Sequence, residues 1–437
     1  MPVQVPNSDH ADHHPRRHAA VRTRNYVYSQ AIPYIGNKRK LLRLISRAIL
    51  RTEMGGGTFV DLFTGSTIVA RLAKTMGFRV AANDWEPYSH EIALGTVVPN
   101  IVPSFEALGG LDDVFAMLNN IDPFNGYVAR HLCPENDDHP DPETERMFFT
   151  RANGEKIDAI RERIHDWESQ RLLTPEERAY ILASLIYAVS YVSNTSGVFK
   201  GWHYGWGGKT GTALYRILST LQLQPPVVFD NSRKNLALKA DALELSRRLP
   251  MELGKAPFIV YLDPPYNQHP YGSNYHVLNT VTLWDKPALN PKYRVNGKKV
   301  EKSAIRRDWR TERRSAFNHA KDALPAFEKL VDGLDARWIL LSYSTDGNMP
   351  LRNVLETMAT RGALDLCTQT YKRYRVSTPR MSPKSHNVEF VAIVDTQKKS
   401  RSNRAEELAE LILKQELDAL EEPDHAEEEQ LPLFIAR

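Results

Sequence analysis

The stretch Phe258-Ile259-Val260-Tyr261-Leu262-Asp263-Pro264-Pro265-Tyr266 decides how this chain is read. An apolar run of this length, closed by prolines, predicts a strand buried inside a parallel sheet. Asp263 then stands at its carboxyl end, the edge where open α/β sheets bind ligands. Two prolines stiffen the loop and remove N–H donors. What remains is a set of acceptors, the Asp263 carboxylate and the Pro264 carbonyl, beside the aromatic face of Tyr266. That set complements an amino group on a flat heterocycle. A rigid acidic turn is the blander reading, and the motif upstream weighs against it.

Upstream, Thr58 to Phe63 reads as a second buried strand. Gly65 and Ser66 turn it into a helix ending near Gly77, and Phe78 to Ala82 follows as a third strand, closed by Asn83 and Asp84. This strand–loop–helix–strand unit is the start of a parallel α/β sheet. In Asp61-Leu62-Phe63-Thr64-Gly65-Ser66, the glycine lets a ligand approach the backbone, and the helix N-terminus offers free N–H groups. Asp84 follows at the spacing where an acid reaches ribose hydroxyls. Alone, the unit is common to many Rossmann-like proteins, and Asp84 would be a turn or helix cap. Pro33-Tyr34-Ile35-Gly36-Asn37-Lys38 precedes a basic helix, Lys38 to Arg51, with Leu41, Leu42, Ile45 and Ile49 at helical spacing. By itself that hexapeptide is an ordinary loop.

The wider chain is that of an ordinary globular protein: 437 residues, 42% hydrophobic and 25% charged. Its length calls for a catalytic domain plus a second lobe or large insertions. No apolar run reaches the 18 or so residues of a membrane span. The polar, His-rich stretch to about residue 25 reads as a disordered tail and not as a secretory signal. Cys133 and Cys367 are the only cysteines, which points to a reducing compartment. No zinc-ligand spacing is present, and no metal is expected. The net charge of +4 hides two basic stretches, 286–314 and Lys372 to Lys384, each either a phosphate footprint or a solvated loop.

Residues 96–257 interrupt the alternation with helix-like stretches, Lys156 to Trp167 and Pro175 to Tyr191, and a glycine- and aromatic-rich loop from Ser193 to Thr210. That loop either shapes a ligand-facing surface or packs its tryptophans in a core. Further strands are expected at Arg337 to Tyr343 and Val388 to Val394. Asn403 to Leu420 reads as an amphipathic helix, with Asn403 and Glu406 forming a capping box and Leu413, Leu417 and Leu420 on one face.

Taken together, these motifs resemble the D12-class (class α) adenine-specific DNA methyltransferases, the group of the Dam-like and FokI-type methylases. Pro33 to Lys38 looks like the N-terminal cofactor motif, Asp61 to Ser66 the glycine-rich motif, Asn83-Asp84 the ribose-binding acid, and Asp263 to Tyr266 the catalytic tetrapeptide. Asp241 resembles the acid near the cofactor adenine. Phe148-Phe149-Thr150, Tyr275-His276-Val277-Leu278-Asn279-Thr280, Leu341-Ser342-Tyr343-Ser344 and Asn387-Val388-Glu389-Phe390 are FokI-methylase-like, and the resemblance spans roughly residues 30 to 395. Two departures stand out. Thr67 replaces a glycine usual in the family, and the chain has one set of motifs where the FokI-type methylase has two catalytic domains.

The resemblance implies a Rossmann-like α/β sheet binding S-adenosylmethionine, with a helical target-recognition lobe inserted. The segments would be a tail at 1–25, catalytic parts at 26–95 and 255–397, an insertion at 96–254, and a C-terminal helix and acidic tail at 398–437. Cofactor contacts fall on Tyr34, Gly36, Lys38, Asp61, Phe63, Gly65, Ser66, Asp84, Asp241 and Asp263, although Lys38 alone would equally be a solvated helix residue. Asp263, Pro264 and Tyr266 would act on an adenine flipped out of duplex DNA, with Tyr266 stacking on the base. Arg306, Arg307, Arg310, Arg313 and Arg314 are the candidates for phosphate contact. A restriction-modification role in a prokaryotic cytoplasm is the default. The C-terminal helix would dock a cognate restriction endonuclease, although such helices more often pack on their own domain. Methylation of cytosine N4, an RNA adenine or a protein glutamine, and a non-catalytic DNA-binding regulator, are the competing readings.

Overall fold

The computed structural model describes residues 23–254, 256–265, 270–295, 297–306, 309, 314–372 and 386–421. Nine strands are described. They are β1 (Thr58–Asp61), β2 (Arg79–Asn83), β3 (Leu236–Leu238), β4 (Phe258–Leu262), β5 (Arg294–Val295), β6 (Lys298–Lys299), β7 (Trp338–Ser344), β8 (Ala363–Lys372) and β9 (His386–Asp395). Seven build one sheet in the order β3-β2-β1-β4-β7-β9-β8, while β5 and β6 form a small ribbon. Every pair from β3 to β7 is parallel, and β9 runs antiparallel to both its neighbours. This mostly parallel sheet with helices on both faces is the expected α/β architecture.

The apolar runs of β1 and β4 make sense from this order, because both strands are central and buried on both faces. Val60, Leu62, Val260, Leu262, Ile339 and Leu341 face one layer, with the helices Ala320–Asp332, Leu351–Ala359 and Arg404–Glu421. Their alternating neighbours Phe59, Ile259, Tyr261 and Leu340 face the other, under the helices Leu42–Leu50 and Ile68–Thr75. Each fully buried aliphatic or aromatic side chain contributes about 1.5–3 kcal/mol relative to exposure.

A third apolar cluster forms the helical layer from 105 to 223 together with Tyr275 to Trp284. Its two long helices, Arg151–Ser169 and Pro175–Val192, start at Thr150 and Thr174, whose hydroxyls cap the first turn. Glu177 completes a capping box at the second. This layer is fused to the sheet. Helix Pro87–Thr96, which follows β2, crosses helix Pro175–Val192 so closely that a Cβ on Gly95 would lie 2.4 Å from the Ala179 carbonyl. Arg146, fully buried, donates to the carbonyls of His131 (3.0 Å), Asn290 (2.7 Å) and Glu301 (2.9 Å) and so ties the start of the basic segment to the same layer.

Several boundaries differ from expectation. β1 ends at Asp61, because Thr64 N–H turns to the Asn83 carbonyl and the chain leaves the sheet. β3 lies inside the stretch 96–254 expected as an insertion, yet it is the edge strand of the main sheet. β8 was not expected, although Leu364 and Leu366 alternate with polar neighbours. The expected tail at 1–25 falls largely outside the described residues, but 23–28 are helical and Tyr26 and Val27 are fully buried. At the C-terminal helix, Asn403 has φ +65°, not the extended conformation of a cap, and Glu406 pairs with Arg352. The buried face is Leu408, Ala409 and Ile412, while Leu413, Leu417 and Leu420 are exposed.

Candidate active site

The loops that leave β1, β2, β3 and β4 at their carboxyl ends converge on one cavity. Tyr34, Gly36, Phe63, Asp84, Asp241, Asp263 and Pro264 line it. Lys38, Asp61, Gly65 and Ser66 do not line it; Lys38 pairs with the lining Asp263, and Gly65 N–H donates to the lining Asp84. Tyr266 lies outside the described residues.

The glycine turn is locked by Asp84. Its Oδ2 accepts from Gly65 N–H and from the Ser89 hydroxyl, both at 2.9 Å, and its Oδ1 accepts from Glu86 N–H at 3.0 Å. Gly65 has φ +48°, and a Cβ there would fall 2.7 Å from the Tyr34 ring, so glycine is required on both counts. Tyr34 in turn stacks on Tyr275 at 4.9 Å, and the Tyr275 hydroxyl accepts from Ile35 N–H at 2.8 Å. Asn83 joins the β1 and β3 loops: its amide donates to the carbonyls of Leu62 and Ala240 and accepts from Ala240 N–H. Asp241 caps the helix Ala242–Ser246 by accepting from Leu243 N–H at 2.8 Å. Thr67, where the family has glycine, keeps the glycine-like left-handed conformation at φ +65°, fully buried, with a hydroxyl that has no partner. Holding the left-handed conformation with a β-branched side chain costs backbone strain.

The floor of the cavity is acidic. Lys38, almost wholly buried, forms an ion pair with Asp263 at 2.9 Å. Burial raises the Asp263 carboxyl, and Lys38 opposes that shift. Asp61 sits beneath the glycine turn, 1% exposed, with Oδ2 accepting from the Thr64 hydroxyl at 3.0 Å and Oδ1 without a partner. Burial, reinforced by repulsion from Asp263 and Asp84, pushes its pKa to about 7. Asp84 is raised by burial too, against its three hydrogen bonds. A cavity floored by this many carboxylates favours a ligand with positive charge.

Sequence reasoning missed Trp85, Glu86, Tyr271, Phe317 and Asn318, which also line the cavity. Trp85 follows Asp84 directly and was legible as an aromatic wall. Phe317 meets Phe63 edge-on at 5.6 Å across 254 residues of chain, which no local signal records. Of the arginines expected to touch phosphate, the described Arg306 and Arg314 do not line this cavity. Arg306 pairs with Asp285 and stacks on Trp309 at 4.8 Å. Arg314 is exposed, and Arg307, Arg310 and Arg313 lie outside the described residues.

A sequence model for the D12 class of N6 adenine-specific DNA methyltransferases matches residues 34–321, from the Tyr34 loop past the Phe317 wall. The chain belongs to this family. It is similar to the modification methylase StsI of Streptococcus sanguinis, 30% identical over 348 residues, covering 78% of this chain and 48% of that protein. It is also similar to the type II methyltransferase M.NlaIII of Neisseria lactamica, 29% identical over 345 residues, 78% of this chain and 92% of that protein. The type II methyltransferase M.FokI of Planomicrobium okeanokoites is 29% identical over 346 residues, again 78% of this chain and 48% of that protein. The chain thus spans about half the length of the StsI and FokI enzymes and most of M.NlaIII. No solved structure matches it. Among the described residues no helix is long and apolar enough to cross a membrane.

Proposed function

We propose that this D12-family chain transfers a methyl group from S-adenosylmethionine to the exocyclic N6 of an adenine flipped out of duplex DNA, as the modification enzyme of a restriction-modification system. The observation that carries the reading is that Asp263 and Pro264 share one cavity with the Asp84-locked glycine turn and Asp241. The cavity fits the cofactor by its chemistry: the acids Asp84, Asp241 and Asp263 and the aromatic walls Tyr34, Phe63 and Trp85. When bound, the cofactor supplies a methyl group already activated on a sulfonium.

The chain's own task is then to position and polarise the amine. The adenine amino lone pair is delocalised into the ring. Asp263 and the Pro264 carbonyl accept its two hydrogens, favour a pyramidal nitrogen and stabilise the positive charge that grows on it. Lys38 favours the ionised form of Asp263, and so its role as acceptor, against the effect of its burial. Asp84 and Asp241 take the ribose and adenine ends of the cofactor, and Asp61, buried behind the cavity wall, adds to the negative potential that its positive charge meets. Tyr266 stacks on the flipped base, and the basic run from Arg306 to Arg314 contacts phosphate. A cognate endonuclease is the partner this role implies.

Transfer of labelled methyl from S-adenosylmethionine to unmethylated genomic DNA, followed by nucleoside analysis, tests the reading. N6-methyladenine is expected from the wild type and not from Asp263→Ala. Label on N4-methylcytosine, RNA or protein instead would overturn the substrate assignment.

A further inference from the structure

Behind the Lys38–Asp263 pair lies a group of buried polar residues that the reaction as described does not use. In the parallel register Leu262 stands level with Leu341, so Asp263 leaves the sheet beside Ser342. Two residues on, Ser344 faces Glu389 across the β7–β9 ladder. By strand alternation these positions share the face of Tyr261 and Leu340, which is covered by the helix that follows Lys38. A central sheet position there calls for an apolar side chain. Instead Ser342, Ser344, Asn387 and Glu389 are all at least nine-tenths buried. The Asn387 amide donates to Ser344 Oγ at 2.8 Å and to Glu389 Oε1 at 3.1 Å. Glu389 Oε2 and Asn387 Oδ1 are buried without partners.

Burying such a carboxylate costs several kcal/mol unless a cation compensates it. The charged groups that face Glu389 are Lys38, which stabilises its ionised form, and Asp263, which opposes it. Asp61 and the Tyr261 hydroxyl face Asp263 from β1 and β4. The ammonium that pairs with Asp263 thus also bears on Glu389 across the buried polar cluster.

We infer that Glu389 is a positioning residue: with Asn387 and Ser344 it shares the Lys38 ammonium with Asp263, and so governs how that carboxylate is held and charged. The inference rests on the methyltransferase reading for Asp263. With Glu389 drawing on Lys38 from behind, the Lys38–Asp263 pair is weaker than it would be alone, and Asp263 keeps acceptor strength for the adenine amine. Without that charge, Lys38 pairs with Asp263 alone, Asp263 ionises more readily, and it accepts more weakly.

The test compares Glu389→Gln and Glu389→Asp with wild type. The Gln variant is expected to lower kcat about tenfold, leave cofactor affinity within about twofold, and move the acid limb of the kcat profile down by about one pH unit. The Asp variant, which keeps the charge, returns the limb towards wild type. A second readout needs no activity: an NMR titration of labelled aspartate carboxyls in the cofactor-free protein, with Asp263→Asn for assignment, should show Asp263 titrating lower in the Gln variant. If the Gln variant does not fold, Ser344→Ala should shift the same limb and titration in the same direction by a smaller amount. An unmoved acid limb together with an unmoved Asp263 titration overturns the inference, whatever happens to kcat or stability. Absence of methyl transfer by the wild type would instead defeat the functional reading, and the cofactor-free titration would still decide the role of Glu389.

Discussion

Asp61 offers the sharpest quantitative test, because its burial makes it costly to the fold and useful to the site. It is 1% exposed, one oxygen has no partner, and its pKa rises from the usual 3.8 to about 7. That difference corresponds to roughly 4 kcal/mol between protonation states. The sign follows from linkage. Below pH 3.8 the carboxyl is protonated whether the chain is folded or not, and nothing is lost. Between 3.8 and about 7 the folded protein holds the extra proton. Above about 7 the buried carboxylate is ionised and its full cost falls on the folded state, so stability declines as pH rises through this window. Asp61→Asn mimics the protonated form and should remove that cost. Its amide introduces donors that need acceptors, which offsets about 1–2 kcal/mol. The variant should therefore match or fall slightly below wild type near pH 4.5 and exceed it by about 2–3 kcal/mol at pH 8.5. Urea midpoints for both proteins across this range measure the difference. The same variant should bind S-adenosylmethionine more weakly above about pH 7, where wild-type Asp61 is ionised and adds to the negative potential behind the cavity. A stability difference that is flat with pH, or larger in acid, would refute the reasoning.

Other perturbations test other parts of the site. Thr67 carries left-handed strain of about 1–2 kcal/mol that alanine keeps and glycine relieves, so Thr67→Gly should be at least as stable as Thr67→Ala despite its greater unfolded-state freedom; thermal unfolding that ranks Ala above Gly by more than about 1 kcal/mol contradicts this. Gly65→Ala forces a Cβ into the Tyr34 ring and should weaken cofactor binding by at least about tenfold with little change in global stability, as calorimetry can show. Lys38→Met leaves Asp263 buried without its cation, which should cost about 3–5 kcal/mol of stability at neutral pH and move any residual activity to higher pH; an unchanged pH profile would argue against the pair. Arg146→Ala removes the donors that hold the 290 and 301 carbonyls and should cost at least about 3 kcal/mol in chemical unfolding while exposing the basic segment to limited proteolysis.

What the sequence made legible, and what it hid, follows from how local each signal is. The strand at 258–262 and the turn at 61–66 are readable because a central parallel strand has no polar face and a strand-to-helix turn needs glycine within a few residues. β8 carried an alternating pattern that went unread, and β3, only three residues long, has too few positions for any period to show. The C-terminal helix was visible, but its buried face was not: Leu408, Ala409 and Ile412 pack inward, and the more obvious leucines 413, 417 and 420 stay outside. In the site, each motif was found separately, and the expected cofactor residues were named from resemblance. The couplings between them were beyond reach. Lys38 and Asp263 are 225 residues apart, and the polar cluster at 342, 344, 387 and 389 acquires meaning only from the β4–β7–β9 register.

The most direct test of the central claim is nucleoside mass spectrometry on genomic DNA from a host that lacks adenine methylation and expresses this chain. The account predicts N6-methyladenine with wild type and none with folded Asp263→Ala. Equal N6-methyladenine from both proteins would remove Asp263 from the chemistry, and none from a folded, cofactor-binding wild type would contradict the claim itself.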